Sequence, residues 1–216
     1  MTSIPGEMFL LLTHESGRQE ATQYRRQALV AAVLTELLLR ERIALTEGRS
    51  PRVEVLDPTP TGVAELDQVL AYLTTQRSPK MGSLLGKGAC DVTETIGDAF
   101  AAAGEVQRKD GWFLTSWPAG SSALEAELRA RLGAVLQGTR RASLQDAVLL
   151  EILKALRVGQ RILREESGGM SRRQLDRTVE ALDVDVPAAA ALRRMIDALN
   201  AAMATSASTT TMAGGS

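Results

Sequence analysis

Apolar positions recur at helical spacing through most of the chain. From about Thr22 to Arg42 the run TQYRRQALVAAVLTELLLRER is apolar around most of its circumference between Ala28 and Leu39, which marks a helix packed by several neighbours. Thr61 reads as the N-cap of a helix reaching about Thr75, with Val63, Leu66, Val69, Leu70 and Leu73 on one stripe. Asp91 to Ala103 predicts another, with Val92, Ile96, Ala99, Phe100 and Ala103 on its inner face and Gly104 at C′. Further helices are expected over Ala123 to Leu136, about Leu144 to Arg164, Ser171 to Leu182, and from Pro187 to near Met203. Met8 to Leu12 is short enough to be a strand or the start of the core. Val53, Val55 and Leu56 alternate loosely as a short strand, and Pro79 with glycines 82, 86 and 88 breaks the next region into a short helix and a loop.

One stretch departs from this helical pattern. In EVQRKDGWFLTSW, Glu105 to Trp117, Asp110-Gly111 is a hairpin signal and the second arm is rich in β-formers. A type I′ turn there pairs Lys109 with Trp112 and Arg108 with Phe113. Strand alternation then puts Lys109, Trp112, Gln107 and Leu114 on one face, and Arg108, Phe113, Val106, Thr115 and Trp117 on the other. Such a hairpin after a helix can be the wing of a nucleic-acid-binding domain, a probe for a membrane surface, or an arm folded onto the body with its aromatics buried.

The whole is about eight helices, one hairpin and two short strands, without repeats or βαβ alternation, and so a mainly α fold. One domain is expected over residues 7–204, and the small, polar, aperiodic tail 205–216 is expected to be disordered.

Composition narrows the chemistry. Aromatics make up 3% of the 216 residues against 44% hydrophobic overall, so Leu, Ala and Val build the core, which favours helices. Net charge is −1, so no global field draws the chain to nucleic acid or an anionic bilayer, and any anion site is a local patch. Cys90 is the single cysteine and His14 the single histidine; disulfides within the chain and a multi-Cys metal site are excluded, and no cofactor or metal is expected. No nucleophile, acid–base pair or ligand set can be assembled, so the chain reads as a non-enzyme of a reducing cytoplasm. The apolar run at Met8 to Leu12 lacks the flanks of a signal peptide, and Ala28 to Leu39 is too short to span a bilayer. GSLLGKG fails as a phosphate loop: three residues separate Gly82 from Gly86, and Gly88 stands where Ser or Thr is needed. Lys154, Arg157, Arg161 and Arg164 form a basic stripe on the helix expected there, to which nearby acids give a solvated-face reading. Arg outnumbers Lys by 21 to 4, a bias associated with high-GC bacterial genomes.

FLLLTHESG at Phe9 to Gly17, VLTELLLRERIAL at Val33 to Leu45, PTG-x3-LD-x2-L at Pro60 to Leu70, and AAAGEVQRKDGWFLTSWP across Gly104 together resemble the GPP34 (Golgi phosphoprotein 3) family, over about Glu7 to Ala204. The resemblance implies a mainly α domain with a projecting hairpin. It also implies a peripheral membrane protein that binds phosphatidylinositol 4-phosphate in a basic pocket, inserts its hairpin tip into the bilayer and, in eukaryotes, recruits glycosyltransferases by their cytosolic tails. The family's headgroup pocket uses a Trp and an Arg leading into the central helix and two bases on the helix before the hairpin. Here those positions are Ala21, Val30, Cys90 and Thr93, and none is kept. Trp112, Phe113 and Leu114 stand where the family carries its inserting residues.

The expected function is therefore peripheral attachment to an anionic phospholipid surface, with Trp112, Phe113, Leu114, Arg108 and Lys109 on the hairpin and Arg25, Arg26 and Arg18 as an alternative basic cluster. Protein tails and self-association are further partner classes. The alternatives are a winged-helix nucleic-acid binder and a lipid-independent adaptor; against the first, Asp91 to Ala103 carries Asp91, Glu94 and Asp98 and no base.

Overall fold

The structure is a computed structural model and describes residues 2–13, 24–48, 50–110, 115–118, 122–182 and 193–201. It is mainly α-helical, with two small antiparallel hairpins among the described residues. Two helices form the centre. In α1 (Ile4–Leu11) every residue is buried, and α2 (Arg25–Leu39) is buried from Ala28 to Leu37. The expectation of a central second helix is met. Met8 to Leu12 instead joins the first helix, because Ser3 caps it by accepting from Gly6 N and Pro5 falls in its first turn. Glu36, on α2, accepts from the otherwise unpaired Ile4 N at 2.8 Å, so the central pair is locked by a cap in trans.

Around this pair run β1 (Ile43–Leu45) and β2 (Val53–Val55), which pair with Ile43 opposite Val55, then α3 (Ala64–Thr74), α4 (Met81–Leu85) and α5 (Thr93–Ala102). The start of α3 is later than the Thr61 cap expected: Val63 is the N-cap, and Thr61 instead donates its N–H and hydroxyl to Asp67 at 2.5 and 2.7 Å. The short strands β3 (Lys109–Asp110) and β4 (Thr115–Ser116) follow, then α6 (Ala123–Leu136) and α7 (Leu144–Ala155), which opens with a Ser143–Asp146 capping box. Residues 193–201 are helical at the end of the described chain. The proposed tail lies outside the described residues.

The single helix expected from Leu144 to Arg164 is two. Leu156 ends α7, Arg157 takes φ +59°, and Val158 N–H bonds back to Leu153 O at 3.0 Å before the short α8 (Gly159–Ile162) begins. This is a Schellman closure with arginine at the left-handed position glycine usually fills. It also breaks the basic stripe, since Lys154 lies on α7 beside Glu151 at 3.1 Å and Glu180 of α9 (Arg172–Glu180) at 3.4 Å, while Arg161 is on α8.

Candidate functional site

The hairpin exists, but its register is not the one an Asp110-Gly111 turn gives: Lys109 faces Ser116 and Asp110 faces Thr115, instead of Lys109 facing Trp112. Gly111, Trp112, Phe113 and Leu114 lie outside the described residues, as do Arg18, His14 and Ala21. The base of the hairpin is fixed by three contacts with α5. Trp117 is 2% exposed and packs edge-on to Phe9 with centroids 5.9 Å apart. Its indole fills the space over Gly97, where a Cβ would lie 2.3 Å from Cε2. Its Nε1 donates to Asp98 Oδ1 at 3.3 Å, and from the other arm Arg108 Nη1 donates to both oxygens of Asp98 at 2.6 Å. Arg108 Nε also reaches Asp110 Oδ1 at 3.0 Å. Hydrogen bonds to Asp98 and then Asp110 raise the Arg108 pKa above its already high value, so it is a cation at every working pH. One carboxylate thus grips both arms. Of the two faces expected for the hairpin, the one carrying Val106 and Trp117 is turned inward, whereas Lys109 is exposed and has no ion pair among the described residues.

The alternative basic cluster divides. Arg25 is 2% exposed and stacks 4.5 Å above the Phe9 ring. Its Nη1 donates to Leu12 O and its Nη2 to Thr13 Oγ1 at 3.0 Å. Burial pulls its pKa down to about 10, against the attraction of Asp91. It braces the end of α1 from inside and leaves the set of surface bases. Arg26, next in sequence, points outward: Nε bonds Asp91 Oδ2 at 2.9 Å and Nη1 reaches Gly86 O at 3.3 Å. Burial pushes Asp91 up, but hydrogen bonds from Thr93 and Arg26 outweigh it and hold the carboxyl below its usual range.

Of the positions where the resemblance places a headgroup pocket, Val30 and Cys90 are fully buried and apolar in surroundings, and Thr93 opens α5 with its hydroxyl tied to Asp91 at 2.6 Å. Burial pushes the Cys90 thiol up to about 11, so it is an inert neutral group at physiological pH. The surface at this place carries the Arg26–Asp91 pair, with Arg26 one helical turn before Val30 and Asp91 next to Cys90. That pairing was not legible in the sequence, because the two residues are 65 positions apart. On α5, Asp98 is committed to the hairpin and Glu94 is exposed.

A helical domain with its first helix buried at the centre and a two-stranded arm anchored on the helix that precedes it defines the structural class. The profile of the Golgi phosphoprotein 3 (GPP34) family matches residues 4–199, and the chain belongs to that family. No curated protein matches it. No helix among the described residues is long and apolar enough to cross a membrane.

Proposed function

We propose that this chain is a non-enzymatic peripheral membrane protein that attaches to anionic phospholipid through its hairpin. The observation that carries the reading is the asymmetry of that arm: its base is fixed by Trp117 over Gly97 and by the Asp98 grip, while Lys109 and Arg108 stay exposed beside a tip whose sequence is Gly111-Trp112-Phe113-Leu114. A rigid base spares the ordering entropy that a floppy arm pays on binding. An interfacial Trp and two or three bases suit weak, reversible attachment.

Family membership supports a phosphatidylinositol 4-phosphate-like headgroup as the lipid class. The loss of charge at Val30, Cys90 and Thr93 favours response to surface charge over a stereospecific phosphate contact, with Arg26, paired to Asp91, as an exposed guanidinium one helical turn before Val30. The reading places the protein on the cytoplasmic face, where partner tails or a second copy add avidity. Cosedimentation tests it. Binding is expected to vesicles of 30% or so anionic lipid, to fall about fivefold with Lys109→Gln, and to be absent on neutral vesicles. Equal, negligible binding to neutral, phosphatidylserine and phosphatidylinositol 4-phosphate vesicles, unchanged by Trp112→Ala, overturns it.

A further inference from the structure

α6 and α7 are joined by the turn 137–143, QGTRRAS, exposed throughout except at half-buried Ala142. Arg140 and Arg141 stand three and two residues before the Ser143 hydroxyl. No other Ser or Thr of the 216 residues has a base at both of those positions. Ser167 has Arg164 three before it but is 2% exposed, and Ser171, an N-cap like Ser143, has its adjacent arginines after it.

The fold presents this hydroxyl in an extended backbone. Gly138, at φ +72°, closes α6, and Thr139 N and Arg140 N both donate to Ala134 O, at 2.9 and 3.1 Å. Ser143 itself has φ −66° and ψ 156°, and α7 begins only at Leu144. Ser143 Oγ donates to Asp146 Oδ2 at 2.7 Å and accepts from Asp146 N at 3.1 Å. Asp146 is fully buried, and its Oδ1 is held at 2.7 Å by Arg131, which also grips Glu7 of α1 at 2.6 Å.

We infer that Ser143 is the phosphate acceptor for an arginine-directed serine kinase, an enzyme whose substrate groove carries carboxylates that pair with Arg140 and Arg141. Ser143 Oγ attacks the γ-phosphorus of a nucleoside triphosphate and the bond from that phosphorus to the bridging oxygen breaks. The nucleoside diphosphate leaves, and the hydroxyl proton, shared with Asp146 in the resting chain, passes to the catalytic base of the kinase. Residues before Ser143 are already outside a helix, so only the first turn of α7 must fray to seat half-buried Leu144 in the groove. The product places a phosphate at the N-terminus of a twelve-residue helix, where the dipole favours negative charge. It also sets that charge against Asp146, at one end of the chain of contacts from Asp146 through Arg131 to Glu7. The site is independent of the hairpin and of lipid attachment.

Incubation of the folded full chain with ATP and the catalytic subunit of cAMP-dependent protein kinase, an arginine-directed probe enzyme, tests the assignment by mass spectrometry. One phosphoryl group per chain is expected, on Ser143, and none in Ser143→Ala. Arg140→Ala and Arg141→Ala are each expected to lower kcat/KM about tenfold or more, as loss of one charge-assisted pair brings. Arg140 is exposed and lies outside both helices, so its substitution keeps the test valid should Ser143→Ala disturb the cap of α7. The same phosphoserine is expected in the chain isolated from its own cells. No incorporation into the folded chain, incorporation indifferent to Arg140→Ala, or absence of the modification from the cellular protein overturns the proposal.

Discussion

Trp117 and Gly97 share one volume: the indole of the first occupies the place where a side chain of the second would be, 2.3 Å from a Cβ built there. The contact joins the trailing arm of the hairpin to the middle of α5 and, through Phe9, to the centre of the core. Gly97→Ala must displace the indole, so it is expected to cost about 1–3 kcal/mol of stability. It should also loosen the whole arm. Urea unfolding gives the first quantity, and proteolysis between Glu105 and Pro118 the second; an alanine variant as stable as the parent and as resistant to cleavage would show that the seat is not what holds the hairpin.

Asp98 neutralises Arg108 while fixing it. In Asp98→Asn the amide still accepts from Trp117, but the guanidinium keeps only Asp110 as an ionic partner. Affinity for anionic vesicles is expected to rise about fivefold at 0.1 M salt, the usual gain for one added basic charge near such a surface, with no change on neutral vesicles. Cosedimentation in which the variant and the parent bind alike would mean that Arg108 does not meet the lipid.

Cys90 offers an internal report on unfolding. Its ordinary thiol value of 9.0 moves to about 11 because burial disfavours the thiolate, with Lys87 opposing weakly. Between those values the unfolded chain releases a proton that the folded chain keeps, so stability is intact below pH 9 and is lost as pH rises toward 11, by on the order of 2 kcal/mol. Urea midpoints at pH 8 and 10.5 should separate in the parent and converge in Cys90→Ala. At pH 8, thiol labelling of the native protein should run no faster than global unfolding.

Asp67 carries the opposite sign. Burial pushes its carboxyl up, but the Thr61 backbone and hydroxyl, the Gly62 N–H at 3.1 Å and Arg42 together bring it below the ordinary 3.8. A depressed carboxylate contributes stability above its unfolded value and loses it as pH falls through the folded one. Asp67→Asn is expected to cost about 1 kcal/mol at pH 7 and progressively less below pH 4. Thermal unfolding across that range checks it, and a deficit that stays constant down to pH 2 would locate the effect outside the charge.

Helix ends show where the sequence was readable. α5 and α6 close on Gly104 and Gly138, at φ +78° and +72°, and glycine at a left-handed C′ position is a local signal. α2 and α7 close in the same way on Glu41 and Arg157, at φ +56° and +59°. Nothing in the residue type announces those stops, which is why α7 and α8 read as one helix with a continuous basic stripe. The break is set by Leu153, Leu156 and Val158 all turning into the core.

Local chemistry alone determined the mainly α class, the central apolar helix and the hairpin after Gly104, because propensity, periodicity and turn residues act over a few positions. Register and burial of individual charges were decided by contacts between distant residues. Asp110-Gly111 announced a turn that pairs Lys109 with Trp112, yet with Trp117 over Gly97 and both arms on Asp98 the register pairs Lys109 with Ser116. Arg25 and Arg26 are neighbours of identical type, and one is a buried brace on Phe9 while the other faces water beside Asp91. Adjacent residues on a helix differ by about 100° in direction. Only the packing of α1 and the turn at Asp91 fixes which of those directions is the inside.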